Sequence, residues 1–359
     1  MMSCCLFVEY GLFNFIAGNL TDFNESFIAV TSFSTTLQVI IKVSVLHYYS
    51  GSVKNILDVI LYKFWPSDLV GKKLAKSLKR SYHVLLSGIM FVYYSGLCFS
   101  VIFILTPLIK AVRQTPYNVI YNFDYNQSPV FETVYLIQCI TNFYVIVNAV
   151  CGVDGLFMAV CYNISAQYRL LQKVVSKLGA EEMKGLNNKL TLLQNTQPSN
   201  CEEEKQFFVR CIKHHCLLLR TMQKVEKVFS LLGFFQLGFS VVAICLSSFL
   251  LTREDVELGR LTNIVIFISG HIIQLFCYCS VANEVDFQMN ELAQHVFASF
   301  WYQTDYVKIK EDITFVLKKS QEVRKLTALK LFPLNYATFI QVLRMSFSFH
   351  TLLSSITQK

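Results

Sequence analysis

The chain has 359 residues, of which 53% are hydrophobic and only 16% charged, with a mean hydropathy of +0.44. That balance excludes an ordinary soluble domain and reads as an integral membrane protein. The formal net charge of +8 needs no nucleic acid, because the basic residues follow membrane topology and a share of them is free to hold anionic lipid headgroups.

Stretches with few charges lie near residues 3–20, 26–47, 82–109, 131–163, 228–251, 261–283 and 333–357, which predicts seven transmembrane helices in one domain covering residues 1–359. Ser81–Ile109, Val228–Leu251 and Leu261–Asn283 contain no Asp, Glu, Lys or Arg. The first segment is the weakest, being short and carrying Glu9. Its start, MMSCCLFVEYG, has neither the basic opening nor the small-residue cleavage site of a signal peptide.

Orientation follows from the basic residues, which concentrate in loops that stay in the cytoplasm. Residues 48–81 hold seven of the 32 Lys and Arg, residues 165–227 hold eleven and residues 284–332 hold seven, whereas the alternate loops and the C-terminus hold five. This places the N-terminus inside and the C-terminus outside, opposite to a G-protein-coupled receptor. N-glycosylation sequons at Asn19, Asn24 and Asn126 fall in outward segments, and the one at Asn163 falls inward. None of the 12 cysteines lies in residues 106–130 or 252–260, so no disulfide framework is expected there.

Among the loops, Thr106–Val130 carries three prolines and is a candidate lid over an outward cavity, while Gln167–Leu178 and Phe207–Lys227 have helical periodicity and predict that the fourth and fifth spans continue inward as helices. Asn195–Glu204, with Pro198 and an acidic run, is the expected disordered stretch. No catalytic constellation is present, so an enzyme is not expected, and no cofactor is implied. Cys211 and Cys216 beside His214 and His215 match no common zinc spacing, so no metal is expected.

Polar residues inside spans are costly and mark candidate sites. Lys42 near the inner end of the second span reads best as snorkelling to the headgroups, and Asp154 in the fourth as a structural ion pair or cap rather than a transport site. A ligand site needs an apolar, aromatic cavity with few polar anchors, for which Phe91, Tyr94 and Phe99 in the third span and Tyr144 and Asn148 in the fourth are candidates. Pro333 fits the first turn of the last helix. Within that helix Gln341, Met345, Ser348, Leu352 and Ser355 recur every three or four residues, laying polar and apolar groups alternately along one face, with Phe339, Val342, Phe349 and Ile356 opposite. Two readings fit: the face lines water, or its small Ser residues let helices pack closely; spacing alone favours the second.

Leu331-Phe332-Pro333-Leu334, followed by Thr338-Phe339, Arg344, Ser346 and Ser348-Phe349 through Thr351-Leu352-Leu353, resembles the end of insect odorant receptors. Glu284, Asn290-Glu291 and Trp301-Tyr302 resemble that family's approach to its last helix, and Cys211, His215 and Asp154 also fit. The resemblance covers roughly residues 22–357; the terminal signature of gustatory receptors is absent. It implies an odorant-gated, non-selective cation channel in the plasma membrane of olfactory sensory neurons, a heterotetramer with the odorant receptor co-receptor, binding a small volatile organic ligand. Ser348, Leu352 and Ser355 would line the pore, with Leu352 near the gate and Ser355 near the outer mouth. Trp301, Tyr302, Phe332 and Pro333 would belong to a cytoplasmic helical anchor where subunits meet. The family usually begins with a few tens of cytoplasmic residues before its first span, so an N-terminal truncation is expected. A gustatory-type channel, a G-protein-signalling receptor, a transporter and a nonfunctional product are the alternatives.

Overall fold

A computed structural model describes residues 1–19, 23–109, 113–194, 203–251, 258–303, 307–321 and 325–357. Each of the seven apolar segments falls on a helix. In chain order these are α1 (Met2–Gly18), α2 (Phe23–Tyr48), a short α3 (Ser50–Tyr62), α4 (Lys72–Ile109), α5 (Val130–Ile146) and α6 (Gly155–Val175). After α7 (Met183–Gln194) come α8 (Glu203–Leu251), α9 (Leu258–Phe297), α10 (Val307–Ser320) and α11 (Tyr336–Thr357). α5 runs into α6 without a break through a π-helical segment, Val147–Asp154. Four stretches, Ala29–Tyr48, Lys72–Ile109, Glu203–Leu251 and Leu261–Phe297, are long and apolar enough to cross a membrane by length and composition.

Several helices outrun their apolar segments. With 49 residues α8 is about 73 Å long, more than twice a hydrocarbon core. The predicted continuation of the fourth and fifth spans is present, in α6 to Val175 and in α8 from Glu203. The stretch expected to be disordered lies outside the described residues up to position 202, but Glu203 and Glu204 form the first turn of α8, where negative charge suits the N-terminal end of the dipole.

α6 packs most extensively on α9, and α8 packs on both. Phe157 on α6 fixes their contact: its ring lies 5.1 Å from Phe229 of α8 and 4.7 Å from Tyr278 of α9. A separate apolar cluster joins α1 and α5 to the loop after α4, through Val8, Leu12, Tyr117, Val119, Tyr121 and Val134. Tyr121 stacks on Phe7 at 4.5 Å, and the Ile120 N–H donates to the Gly11 carbonyl at 3.0 Å. The described part of the candidate lid is thus packed onto α1 and the start of α5.

The entry to the last helix differs from the expectation. Phe332–Pro333 pairs with Thr327–Ala328 in a two-stranded antiparallel hairpin turned by Leu329 and Lys330, both at positive φ. α11 begins only at Tyr336, capped by Asn335, whose Oδ1 accepts the Thr338 N–H at 2.9 Å. Pro333, which lacks an N–H, therefore serves in a strand rather than in a helical first turn.

Before its apolar stretch, α8 is tied to α6 and to the turn after α3 by a polar clasp. Gln167 of α6 takes the Trp65 N–H at 3.0 Å and returns a bond to the Trp65 carbonyl at 2.9 Å, which fixes its amide orientation. His214 of α8 stacks on the Trp65 ring at 3.8 Å, and its Nε2 lies 3.0 Å from the accepting Gln167 Oε1, so that nitrogen carries the proton. Burial, reinforced by the neighbouring His215, lowers the His214 pKa to about 3. Unfolded histidine protonates near pH 6.5, so the unfolded chain binds the extra proton first and stability falls as pH drops from about 6.5 towards about 3. The midpoint of thermal unfolding of the detergent-solubilised chain should therefore fall on acidification below about pH 6.5, and His214→Phe, which keeps the stack, should flatten that dependence. An unchanged slope in the variant would remove His214 as its source.

Candidate functional site

Three helices carry polar residues four apart on their inward faces: Gln38 and Lys42 on α2, Gln236 and Ser240 on α8, Gln274 and Tyr278 on α9. They converge on Asp154, the last residue of the π-helical segment. Lys42 is fully buried and donates to Asp154 Oδ1 at 2.7 Å and to Gln236 Oε1 at 2.6 Å. The Tyr278 hydroxyl donates to Asp154 Oδ1 at 2.6 Å and the Gln274 amide donates to Oδ2. Gln236 also accepts from Gln38 at 2.7 Å and donates to Gln274 at 3.0 Å and to Ser240 at 3.1 Å. Lys42, Asp154, Gln274 and Gln236 thereby close a ring. The Tyr278 face lies 5.3 Å from the Lys42 ammonium and adds a cation–π contact.

The pairing of Asp154 fits its expected structural role, whereas Lys42 does not snorkel. The helix directs it at a carboxylate inside the bundle, and a charge so enclosed is tolerable only with such a partner. The reading of charges alone missed Gln38, Gln236, Gln274 and Tyr278; the available signal was their recurrence at four-residue spacing in otherwise apolar segments. The π-helical segment, a feature that often marks functional positions, ends within this ring at Asp154.

The candidate ligand residues divide. Tyr144 and Asn148 are half-buried and joined by a bond from Asn148 Nδ2 to the Tyr144 carbonyl at 2.9 Å. Phe99 is half-buried and stacks with Phe103 at 6.4 Å, next to Ser100, whose hydroxyl bonds Asn142 of α5. Phe91 and Tyr94, by contrast, are 70% and 58% exposed on the outside of the chain. The inward face of α4 is set by Ser100 and Ile104, and Ser100 lies about half a turn round the helix from Phe91. Asn142 also donates to the Tyr117 hydroxyl at 3.0 Å, so the loop after α4 is tied to the same site.

On α11 the two faces separate cleanly. Thr338, Val342 and Ser346 are buried against α8 and α9, with the Ser346 hydroxyl donating to the Val342 carbonyl at 2.9 Å. Gln341, Met345, Ser348, Leu352 and Ser355 are all exposed. Phe349 is exposed as well, while Phe339 packs on the core. Of the expected anchor residues, Trp301 is partly buried and its Nε1 donates to the Phe297 carbonyl at 3.1 Å, Pro333 is half-buried, and Tyr302 and Phe332 are exposed. Among the described residues no group of three His, Cys, Asp or Glu is placed to hold a metal ion; Cys211 is buried and Cys216 exposed, on different faces of α8.

Because Lys42 and Asp154 neutralise each other, removing one charge leaves the other buried and unpaired. Lys42→Met or Asp154→Asn alone should each cost about 3 to 5 kcal/mol, while the double variant costs clearly less than their sum. Thermal unfolding of the four proteins of this cycle checks it, and additive losses would show that the two charges act independently.

Comparison with known proteins places the chain in a family and gives its fold a match. A family model described as 7tm Odorant receptor matches residues 19–347. Odorant receptor 83a of Drosophila melanogaster is 24% identical, over 98% of this chain and 83% of its own length. Odorant receptor Or1 of Anopheles gambiae is 22% identical, over 74% of this chain and 66% of its own. The solved structure of the insect olfactory receptor OR5 from Machilis hrabei in complex with eugenol has the same fold, with a TM-score of 0.78 at 15% identity over 99% of this chain and 87% of that one. With the family model covering most of its length, this helical membrane protein belongs to the insect odorant receptor family.

Proposed function

We propose that the chain is the odorant-binding subunit of an odorant-gated, non-selective cation channel, assembled as a heterotetramer with a co-receptor in the plasma membrane of olfactory sensory neurons. In this reading residues 1–359 form one transmembrane domain with the N-terminus inside and the C-terminus outside. The observation that carries it is the exposed stripe on α11. A helix already anchored by Thr338, Val342 and Ser346 does not need Ser348, Leu352 and Ser355 for packing within the chain, and leaves them free to face an axis shared with other subunits. Alternating small hydroxyls with one bulky apolar side chain suits a dewetting gate beside a hydrated mouth. Exposed Tyr302 and Phe332, with Trp301 and Pro333 behind them, supply the apolar surface of a subunit anchor.

The ligand is a small volatile organic molecule, held by the face that contains Phe99, Tyr144 and Asn148; Phe91 and Tyr94, on the outside, are left out of the pocket. A relative of the same fold in complex with eugenol supports a ligand of this size. α8 supplies the link from pocket to pore. Its Gln236 joins the buried ring at the end of the π-helical segment. One turn away, a Cβ on Gly233 would lie 3.2 Å from Leu334, at the entry to α11. Further along, the Val241 carbonyl accepts from Ser346 at 3.5 Å.

Coexpression with a co-receptor in oocytes should give odorant-evoked cation current, and Leu352→Asp or Leu352→Trp should change conductance or leak by at least roughly twofold. Unchanged currents remove Leu352 from the pore. Epitope tags at both ends test the orientation: an outside N-terminus with an inside C-terminus rejects the channel reading in favour of a receptor of the opposite topology.

A further inference from the structure

The first turns of α4 gather their basic residues on one face, an arrangement that an inward loop does not by itself require. Lys72, Lys73, Lys76, Lys79 and Arg80 are all exposed, and at about 100° per residue they fall within an arc of about 120°. His83, one turn further, lies on the same arc and is exposed. The opposite side carries Leu74 and Leu78, which turn towards the chain; Leu78 is buried, and its carbonyl accepts the Tyr162 hydroxyl. None of the five cations forms an ion pair among the described residues. The helix itself does not favour the arrangement, because cations at an N-terminus oppose its dipole and neighbours of like charge repel.

A second observation fixes where this face lies. From Ser81 to Ile109 the same helix has no charged residue, so the change from aqueous to apolar surroundings falls at about residue 81. Tyr82, 43% exposed, sits at that point with its ring 5.7 Å from Tyr162, as aromatic side chains do at a membrane interface. The cations occupy the turns immediately outside it, at headgroup level.

We infer that this face is a binding site for an anionic phospholipid headgroup of the inner leaflet, specifically one bearing several phosphates, as in a phosphoinositide. Five cations over about 12 Å of helix provide a charge density that one phosphodiester does not match, and Arg80 adds a fork suited to a phosphate. The inward position of α4's start rests on the orientation proposed above.

The test uses the full chain in phosphatidylcholine nanodiscs containing a small fraction of phosphatidylinositol bisphosphate or of phosphatidylserine, with retained lipid counted by native mass spectrometry. Both faces are accessible in a nanodisc, so the result does not depend on orientation. The bisphosphate should be retained in preference to phosphatidylserine. Replacing all five cations by Gln should reduce retention at least roughly tenfold, since each contributes up to about fivefold. A variant that loses equal charge elsewhere, Lys184→Gln, Lys189→Gln, Lys213→Gln, Lys224→Gln and Lys318→Gln, should retain it. Equal retention of the two lipids, or equal loss in both variants, overturns the proposal. Orientation is read separately from a cysteine placed at Lys73 in intact cells. Labelling from outside only would refute the topology, and with it the inner-leaflet assignment.

Discussion

The ion pair between Lys42 and Asp154 is the interaction on which the middle of the structure depends. Two opposite charges are withdrawn from solvent, and neither is tolerable there without the other. The pair survives because its remaining bonding capacity is met by neutral groups: amides of α8 and α9 and a tyrosine hydroxyl, each presented from a helix that lies against a neighbour in this core. Residues four apart on a helix share a face, so each helix delivers two polar groups to one layer with no cost in apolar contact elsewhere. Around that layer the packing is apolar, with Phe157 between Phe229 and Tyr278.

This arrangement gives the helices unequal roles. α8 is the common support: it meets the ring through Gln236, the hairpin through Gly233, and α11 beside Val241. The hairpin is bonded onto it as well, by Thr327 to Glu226 at 2.8 Å and by the Leu329 N–H to Ser230 at 2.8 Å. A shift of the π-helical segment that carries Asp154 would therefore be felt by α8 before it reached α11. Fully bonded polar networks of this kind have few intermediate arrangements, which suits an element that passes a change between two states.

Much of the fold was legible in the sequence because each span must satisfy its backbone internally and be apolar enough for lipid, so length and charge alone locate the helices. The family was legible from the last helix and its approach. Within the site, the partnership of Asp154 was anticipated but the fate of Lys42 was not. A lysine near a helix end snorkels or pairs according to what stands opposite, and only the fold places Asp154 there, 112 residues away. The uncharged amides Gln236 and Gln274 were passed over for the same reason. Pro333 suits a helical first turn and a strand equally; Asn335 two residues later, a better cap, decided between them. Phe91 and Tyr94 are aromatic residues of α4 that the sequence cannot place on one side of the helix or the other; in the fold both are exposed, unlike Ser100 and Ile104.

The buried ion pair is tested most directly by a cryo-electron microscopy map of the full chain, at a resolution that places side chains. Continuous density should run from the Lys42 ammonium to the Asp154 carboxylate, with Gln236, Gln274 and Tyr278 closing round them. A Lys42 side chain extended towards the headgroups, or an Asp154 carboxylate facing a water-filled space without it, would rule out the buried pair as the centre of the bundle.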